Sequence, residues 1–318
     1  MQNDPPETIG PYRVRELLGK AGQSAVYSAA APDGRAAAVK LFPARLAGDP
    51  AAGERFHREM AAVAKVSRHP HLVHVLGTGQ EGDRLYLAME LVEGTSLDRI
   101  LKQRRVSLPE AFAVMRGICR GLAHAHQHGY LHGSLTPRNV LVSPDFSIVK
   151  VADLGATGFE TSPNLTATMS TGEIRLGALY YLPPEILEGS SRVDARADLY
   201  SAGVIFHEML TGRAPGPKFA LPTQLNAELP PEVDVVVLTC LARDPGERYA
   251  NAGDLLAALE RLEETLRLRV FTEIRDISQA GSRLLGGSNA GGGKKTWLYA
   301  GLALLVIALA VLGFWLAR

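Results

Sequence analysis

Residues whose types could serve chemistry are spread along the first half of the chain. A glycine-bearing turn runs from Gly19 to Val26 between two predicted strands, and such a turn can cradle phosphate with its backbone amides. Lys40 ends an apolar strand, Glu59 falls within a predicted helix, Asn139 follows a loop, and Asp153 opens an Asp-Leu-Gly turn. Each taken singly has an ordinary structural explanation, such as a strand end or a surface charge. The order of the whole set is more informative than any one member.

The elements that must position these residues change in character near Gly94. From Tyr12 to Leu91 the pattern predicts five strands, with one amphipathic helix, PAAGERFHREMAAVAKV, between the third and fourth. From Ser96 onward helical periodicity dominates, in segments such as LPEAFAVMRGICRGLAHAHQHG and DLYSAGVIFHEMLTG. We therefore expect an α+β protein with a strand-rich first lobe, a mainly helical second lobe and a ligand-binding cleft between them.

The overall composition excludes several classes of function. The 34 basic and 33 acidic residues leave a formal net charge of +1, so no global field recruits nucleic acid. The two cysteines, Cys119 and Cys240, each lie in an apolar helical pattern. This placement favours buried thiols in a reducing compartment over a disulfide framework or a zinc site.

The C-terminal end carries a membrane signal. Residues 297–316 hold no charge, and these 20 residues at about 1.5 Å rise per residue span roughly 30 Å, the hydrocarbon thickness of a bilayer. Aromatic residues lie at both ends of the segment, and Lys294 and Lys295 precede it. The first residues show no basic region followed by an apolar run, so we expect no secretory signal peptide. We expect a single-pass, tail-anchored protein of the cell (inner) membrane whose main domain is cytoplasmic.

The ordered motifs resemble the protein kinase superfamily, in particular its bacterial serine/threonine members of the eukaryotic type. Further matching segments are HPHLVHVLG, YLAMELVEGTSL, YYLPPE, DLYSAG and RDPGERYANAGDL. The resemblance covers roughly residues 9–265 and implies a bilobal protein-kinase fold, with an N-lobe over residues 9–92 and a C-lobe over residues 95–265. Residues 1–8 would then be an N-terminal tail, residues 266–295 a juxtamembrane linker and residues 297–316 a transmembrane helix.

The resemblance implies an ATP and Mg²⁺ site in the cleft. Lys40 would hold the α- and β-phosphates and pair with Glu59, while Asp153 and Asn139 would bind metal through hard oxygen ligands. Apolar side chains, a gatekeeper methionine and the hinge backbone would hold adenine. These residues are Val26, Ala38, Leu141, Met89, Glu90, Leu91 and Val92.

The glycine-bearing turn departs from the family pattern. The family places glycine at three positions, and here Gly19 remains while Ala21 and Ser24 occupy the other two. A Cβ atom at each position restricts positive φ and the close approach of backbone to phosphate. Gly22 partly preserves flexibility, so we expect ATP binding to persist but to be weak.

The catalytic loop departs further. The family reads His-Arg-Asp-Leu-Lys-Pro-x-Asn, whereas His132–Asn139 reads His-Gly-Ser-Leu-Thr-Pro-Arg-Asn. Ser134 stands where a carboxylate would accept the substrate proton, and a serine hydroxyl is no base near neutral pH. Thr136 replaces the cation that steadies the transferred phosphate, and Ala178 replaces a threonine that bonds both groups. Gly133 replaces the arginine that reads a phosphorylated activation segment.

Four histidines near this loop have metal-binding side chains. His124 and His128 share a helix face at i, i+4. His126 and His132, however, match the kinase pattern at the end of its long helix and in its catalytic loop. We therefore favour structural roles for the four histidines over a metal site.

These observations predict a membrane-anchored signalling pseudokinase, which binds ATP and Mg²⁺, transfers little or no phosphate and acts through protein partners. Two alternatives remain open. One is an active or weakly active kinase, or another ATP-dependent transferase, with a substituted catalytic loop. The other is an interaction scaffold without nucleotide. The sequence names no partner or substrate and leaves the oligomeric state unknown.

Overall fold

The structure is a computed structural model that describes residues 6–21, 24–44, 50–156, 176–190, 193–216 and 219–286. The N-terminal lobe is built on an antiparallel sheet in the order β1-β2-β3-β4-β6-β5. Its strands are β1 (Thr8–Ile9), β2 (Tyr12–Ala21), β3 (Ser24–Ala30), β4 (Ala36–Leu41), β5 (Val75–Glu81) and β6 (Arg84–Glu90). The sheet has one strand more than the five predicted, because Thr8–Ile9 folds back onto the start of β2.

Helix α1 (Pro50–Val66) has the bounds of the predicted helix. Its apolar residues Phe56, Met60 and Val63 recur at helical spacing and are fully buried. They join the main core, to which one face of the sheet contributes Leu87 and Met89. The opposite sheet face packs a separate cluster around Ile9, Val39, Tyr86 and Ala88. Strand alternation thus gives the sheet two buried faces, and the first of these faces α1.

The C-terminal lobe is mainly helical. A small sheet of β7 (Thr95–Ser96), β8 (Val140–Val142) and β9 (Val149–Val151) lies at its edge. The described helices are α2 (Leu97–Gln103), α3 (Leu108–Gln127), α4 (Pro184–Leu187), α5 (Arg196–Thr211), α6 (Pro222–Leu225), α7 (Glu232–Cys240) and α8 (Ala252–Gly286). Short 3₁₀ segments cover Pro137–Asn139, Leu176–Tyr181 and Pro245–Glu247. Helix α3 begins at a Ser107 capping box and packs against α5 and α8.

The lobes are joined through Gly94. A Cβ atom at this position would lie 2.2 Å from the Val142 carbonyl oxygen, so only glycine allows the connecting strand to approach β8 this closely. Thr95 and Ser96 then pair with Val142 and Leu141. The predicted hinge is therefore fixed to the floor of the cleft on its C-lobe side.

A buried ion pair between Arg248 and Glu185 joins two segments of the C-lobe. The Arg248 guanidinium donates to both carboxylate oxygens of Glu185 at 2.7 and 2.8 Å, and the Arg248 side chain is fully buried. Such a bidentate pair fixes direction as well as distance. It ties the YYLPPE segment to the loop before α8.

Both cysteines are buried, as the sequence predicts. Burial raises the pKa of the Cys119 thiol to about 12. Since the thiolate is the reactive form, this thiol is inert at neutral pH.

Helix α8 continues to Gly286. The first part of the predicted juxtamembrane linker, residues 266–286, is therefore helical. The predicted transmembrane segment, residues 297–316, lies outside the described residues. Within the described ranges, no helix combines the length and the apolar character that a membrane crossing requires.

Candidate active site

The upper wall of the cleft is one face of the N-lobe sheet. Strand register places Val26 opposite Lys40 and Ala38 opposite Met89. Because side chains alternate along a strand, these four residues share a face. Lys40 and the apolar side chains predicted to contact adenine are therefore brought together on the sheet. Leu141, which packs against the same core, lies on β8 below them.

Lys40 contacts the carboxylate predicted to bind metal. Its Nζ lies 2.8 Å from Asp153 Oδ1, and the Lys40 side chain is 4% exposed. Burial by itself raises the pKa of Asp153, but the charge and hydrogen bond of Lys40, the nearby His132 and the Asn139 hydrogen bond together outweigh burial, so this pKa falls below its usual value. Asp153 has φ +64°, a left-handed conformation uncommon outside glycine. The carboxylate is held ionised and in a fixed orientation.

A chain of hydrogen bonds continues into the catalytic loop. Asn139 Nδ2 donates to Asp153 Oδ2 at 3.0 Å, and Thr136 Oγ1 donates to Asn139 Oδ1 at 2.8 Å. An ionised carboxylate only accepts hydrogen bonds, so the amide nitrogen must face Asp153 and the amide oxygen must face Thr136. Carboxylate and amide oxygens are ligands that Mg²⁺ accepts, and the pair fits a metal once the Asn139 amide turns its oxygen inward.

Asp198 on α5 anchors the catalytic loop. It accepts hydrogen bonds from the backbone amides of His132 and Gly133, each at 2.8 Å, and from His126 Nε2 at 2.8 Å. Burial by itself raises the pKa of Asp198. The hydrogen bond from His126, the nearby His132 and the two backbone amides together outweigh burial, so the pKa falls below its usual value and the carboxylate is ionised. His132 Nε2 in turn donates to the Ala152 carbonyl at 2.9 Å. The loop backbone is therefore rigidly held.

Ser134 occupies the position of the missing base. Its hydroxyl is shielded from solvent and has no hydrogen-bond partner among the residues that the structure describes. A buried hydroxyl with neither a base to activate it nor a donor to orient it has no means of accepting a substrate proton.

The structure does not bring Glu59 to Lys40. Glu59 is half exposed and lies 3.7 Å from Arg55, one helical turn away. Phe56, Met60 and Val63 occupy the buried face of α1, and this leaves Glu59 at its solvent edge. The predicted pairing is wrong for this conformation because the rotation of α1 follows its apolar face.

At the hinge, the Glu90 side chain turns away from the cleft. Its Oε1 lies 2.6 Å from Lys150 Nζ and accepts the His74 amide at 2.9 Å. The Glu90 amide donates to the His74 carbonyl. In any hydrogen bond between the Glu90 backbone and a ligand, the Glu90 carbonyl would therefore accept from the ligand. Leu91 and Val92 pack against the main core.

The glycine-bearing turn and Ala178 are described in part. Gly19 pairs with Val26, and a Cβ atom there would meet no atom of the described residues within 4 Å, so none of them requires glycine at this position. Ala21 pairs with Ser24 at the end of the hairpin. Gly22 lies outside the described residues. Ala178 falls in the 3₁₀ turn Leu176–Tyr181.

Asp198 and Thr136 are the residues whose roles the sequence did not predict. The DLYSAG match marked Asp198 without indicating that it holds the catalytic loop. The sequence predicts only that Thr136 lacks the positive charge found at this position in the family. In the fold the Thr136 hydroxyl orients Asn139. The position of Asp198 among apolar residues of α5 could have predicted its role, because a buried carboxylate needs hydrogen-bond partners.

Comparison with known proteins agrees with this architecture. The protein kinase domain model matches residues 12–252. The chain is 36% identical over 276 residues to the serine/threonine-protein kinase PknL of Mycobacterium bovis, covering 82% of this chain and 67% of PknL. It is 34% identical to PknH of the same organism, covering 80% of this chain and 45% of PknH. The crystal structure of a double mutant of the Mycobacterium tuberculosis PknI kinase domain aligns with TM-score 0.65 and 25% identity, over 79% of this chain and 95% of that domain.

Proposed function

This chain belongs to the protein kinase domain family, of the bacterial serine/threonine type, and from that premise we propose that it is a membrane-anchored pseudokinase. It binds ATP with Mg²⁺, transfers phosphate slowly or not at all, and signals through contacts with protein partners. The observation that carries the proposal is the contrast between the Lys40–Asp153–Asn139 network and the unpartnered Ser134 hydroxyl.

Nucleotide binding is supported by the charges in the cleft. Lys40 is a buried cation at the end of an apolar wall, where it can meet phosphate oxygens. Asp153 and Asn139 would hold Mg²⁺, which when bound neutralises phosphate charge. Ala38 and Met89 are buried on the same wall and leave an apolar surface for the base.

Loss of transfer is supported by the loop. General base catalysis contributes about 10²- to 10⁴-fold to rate, and no carboxylate occupies position 134. Thr136 and Ala178 also lack the groups that kinases use at those positions. Because Asp198 holds the loop through backbone atoms, the fold tolerates these replacements.

Membrane anchoring rests on residues 297–316 and on the two lysines before them. We expect the full chain to stay with membranes after an alkaline carbonate wash and a variant ending at residue 296 to be released. Release of the full chain by the same wash would count against the anchor.

The enzymatic part is tested with the full chain in detergent micelles. Mg-ATP at 100 times its dissociation constant stabilises a native protein by about 2.7 kcal/mol. We expect a corresponding rise in melting temperature that Asp153→Asn reduces to about half or less, with no incorporation of labelled γ-phosphate into the chain or a general acceptor protein. Rapid labelling that Asp153→Asn removes would overturn the proposal.

A working kinase is the second candidate. It is favoured by the retained Lys40, Asn139 and Asp153 and by relatives such as PknL that carry the name serine/threonine-protein kinase. A single-turnover measurement separates the two functions, since slow chemistry appears there even when steady-state turnover does not. Transfer at a rate similar in wild type and Ser134→Asp would favour this candidate.

A further inference from the structure

Three histidines outside the candidate active site form a contiguous stack. The rings of His69 and His124 lie parallel, 4.5 Å apart at 16°, and the His128 ring lies 4.5 Å from that of His124. We call His69, His124 and His128 the histidine stack. It joins the loop after α1 to the C-terminal end of α3. A fourth ring, that of His71, lies 5.7 Å from His69.

Hydrogen bonds show which ring nitrogens of the stack carry hydrogen. His124 Nε2 lies 3.0 Å from the Val66 carbonyl, and His128 Nδ1 lies 2.8 Å from the His124 carbonyl. Carbonyls only accept, so both nitrogens carry hydrogen. His69 Nδ1 accepts the His71 backbone amide at 3.2 Å, so this nitrogen carries none. The neutral stack therefore attaches the end of α1, at Val66, to α3.

The stack is not arranged as a metal site. Lone pairs of metal ligands must converge on one point about 2.0–2.1 Å away, whereas parallel rings direct theirs side by side. His124 Nε2 is also occupied by Val66. Over the described ranges, no three acidic, histidine or cysteine side chains are grouped to hold a metal ion.

We propose that the histidine stack is an acid-sensitive clasp, which holds the loop after α1 against α3 while His69 is neutral and releases that loop when His69 is protonated. A proton on His69 Nδ1 would displace the His71 amide, because a protonated ring nitrogen can only donate. The contact that seats the His69 ring beside His124 thereby turns from attractive to repulsive, whereas the hydrogen bond between His124 and Val66 is kept. The inference does not depend on nucleotide binding.

The surrounding charges disfavour protonation at neutral pH. One surface cavity beside His69 is lined by Arg68 and His74 from the loop, Lys150 from β9 and Glu90 from β6, and the His71 ring lies next to that of His69. Burial lowers the pKa of His69, and His124, His71 and Lys150 lower it further. Burial and then Arg68 lower the pKa of His74, and Glu90 opposes them only in part. His69 and His74 are thus kept neutral at neutral pH, with the cations Arg68 and Lys150 beside them.

The sign of the pH dependence follows. A histidine whose pKa is lower in the folded state than its ordinary value of about 6.5 binds fewer protons folded than unfolded. Its stabilising contribution is complete above about pH 6.5 and is lost as the pH falls through that value towards the folded pKa. Acid therefore weakens the clasp.

Release would reach the cleft through α1. Val63 and Met60 on this helix contact the Asp-Leu-Gly turn, where a Cβ atom at Gly155 would lie 3.2 Å from Val63 Cγ2. The same helix carries Glu59. Freeing the loop that follows Val66 would therefore loosen the end of α1 and change the support of Asp153 and the rotation of Glu59.

The test compares acid sensitivity in the full chain. His69→Asn keeps an acceptor for the His71 amide, and His124→Gln keeps a donor for Val66, so the double variant retains both hydrogen bonds without titrating. His57→Gln is the matched control, because His57 lies on α1 and bonds Thr78 away from the stack. Between about pH 7.5 and about pH 5.5 we expect the wild type and the control to lose roughly 3 °C more in melting temperature than the double variant.

Hydrogen exchange of the wild type supplies a measurement that needs no variant. After correction for intrinsic rates, we expect amides of residues 64–75 and 121–130 to lose protection roughly tenfold at the lower pH, ahead of α5. Equal acid sensitivity of the wild type and the double variant, or protection lost uniformly over the C-lobe, would overturn the proposal.

Discussion

The two carboxylates around the catalytic loop make an instructive comparison. Asp153 lies at the cleft surface, with its side chain 19% exposed, and is held by the Lys40 cation and Asn139. Asp198 is 1% exposed and is held by two backbone amides and His126. The first carboxylate can give up its partners to a ligand. The second is enclosed and supports only the loop.

The backbone contacts of Asp198 allow the catalytic loop to keep its shape when the side chains at positions 133 and 134 change. Asp198 accepts hydrogen bonds from the backbone at His132 and Gly133, so the side chains at 133 and 134 are not needed to hold the loop. Asp153, by contrast, contacts side chains at Lys40 and Asn139, so replacing any of these changes the site. The side chain at position 134 can therefore change without disturbing the loop, whereas a change at Asp153 alters both the ion pair with Lys40 and the hydrogen bond with Asn139.

The largest expected effect breaks the comparison at Ser134. Ser134→Asp together with Thr136→Lys restores the groups of a working loop on an intact scaffold. We expect single-turnover phosphate transfer to rise by about 10²- to 10⁴-fold, since this is the contribution of a general base. Ser134→Asn, which has similar size and no basicity, is the control. If the double variant still transfers no measurable phosphate, the scaffold itself is incompetent.

The next effect tests the role of Asp198. Asp198→Asn removes the charge that binds two amides and His126, and breaking such a buried set costs about 3–5 kcal/mol of unfolding free energy. Chemical denaturation measures the loss. Asp194→Asn is the control, because Asp194 is 64% exposed and an asparagine can still accept the Arg196 amide. Similar losses in both variants would contradict an anchoring role.

Asp153→Asn sharpens the other side of the comparison. We expect the affinity for Mg-ATP to fall at least about tenfold, because the carboxylate would be the charged ligand of a bound Mg²⁺, while loop geometry is retained through Asp198. Nucleotide titration with and without Mg²⁺ gives the measurement. If the metal-dependent part of the affinity survives in the variant, Asp153 is not the ligand.

The smallest effect concerns Thr136. Thr136→Val removes the hydrogen bond to Asn139 at almost constant volume, and a net loss of about 1 kcal/mol is expected. The melting temperature should fall by about 2–4 °C. Thr136→Ser keeps the hydroxyl and should behave like the wild type. Identical melting of the valine and serine variants would remove Thr136 from the network.

Local patterns predicted most of the fold. The bounds of α1 follow from apolar spacing and agree with the structure, and the two-lobed α+β division at Gly94 follows from the change in periodicity. The fourth predicted strand, HLVHVLGTG, begins only at Val75. Leu72 and Val73 are instead drawn towards Val151 of the other lobe, a contact that local pattern does not contain.

The candidate site divides in the same way. Motif order identified Lys40, Asp153, Asn139 and the substitution at Ser134, because residue type and spacing are properties of the sequence. The orientation of Glu59 could not be read from the sequence, since packing of the apolar face sets the rotation of α1. The Thr136–Asn139 bond depends on a turn of the loop that brings two polar groups together.

The sequence by itself determined that this is a kinase-like chain with its phosphate- and metal-binding residue types retained and its base replaced. Tertiary structure alone decided which groups touch. Asp198 reaches the catalytic loop across 65 residues, and the rings of His69 and His124 stack although they are far apart in the chain. Such contacts arise when helices pack around a common core, and helix packing depends on shape in three dimensions.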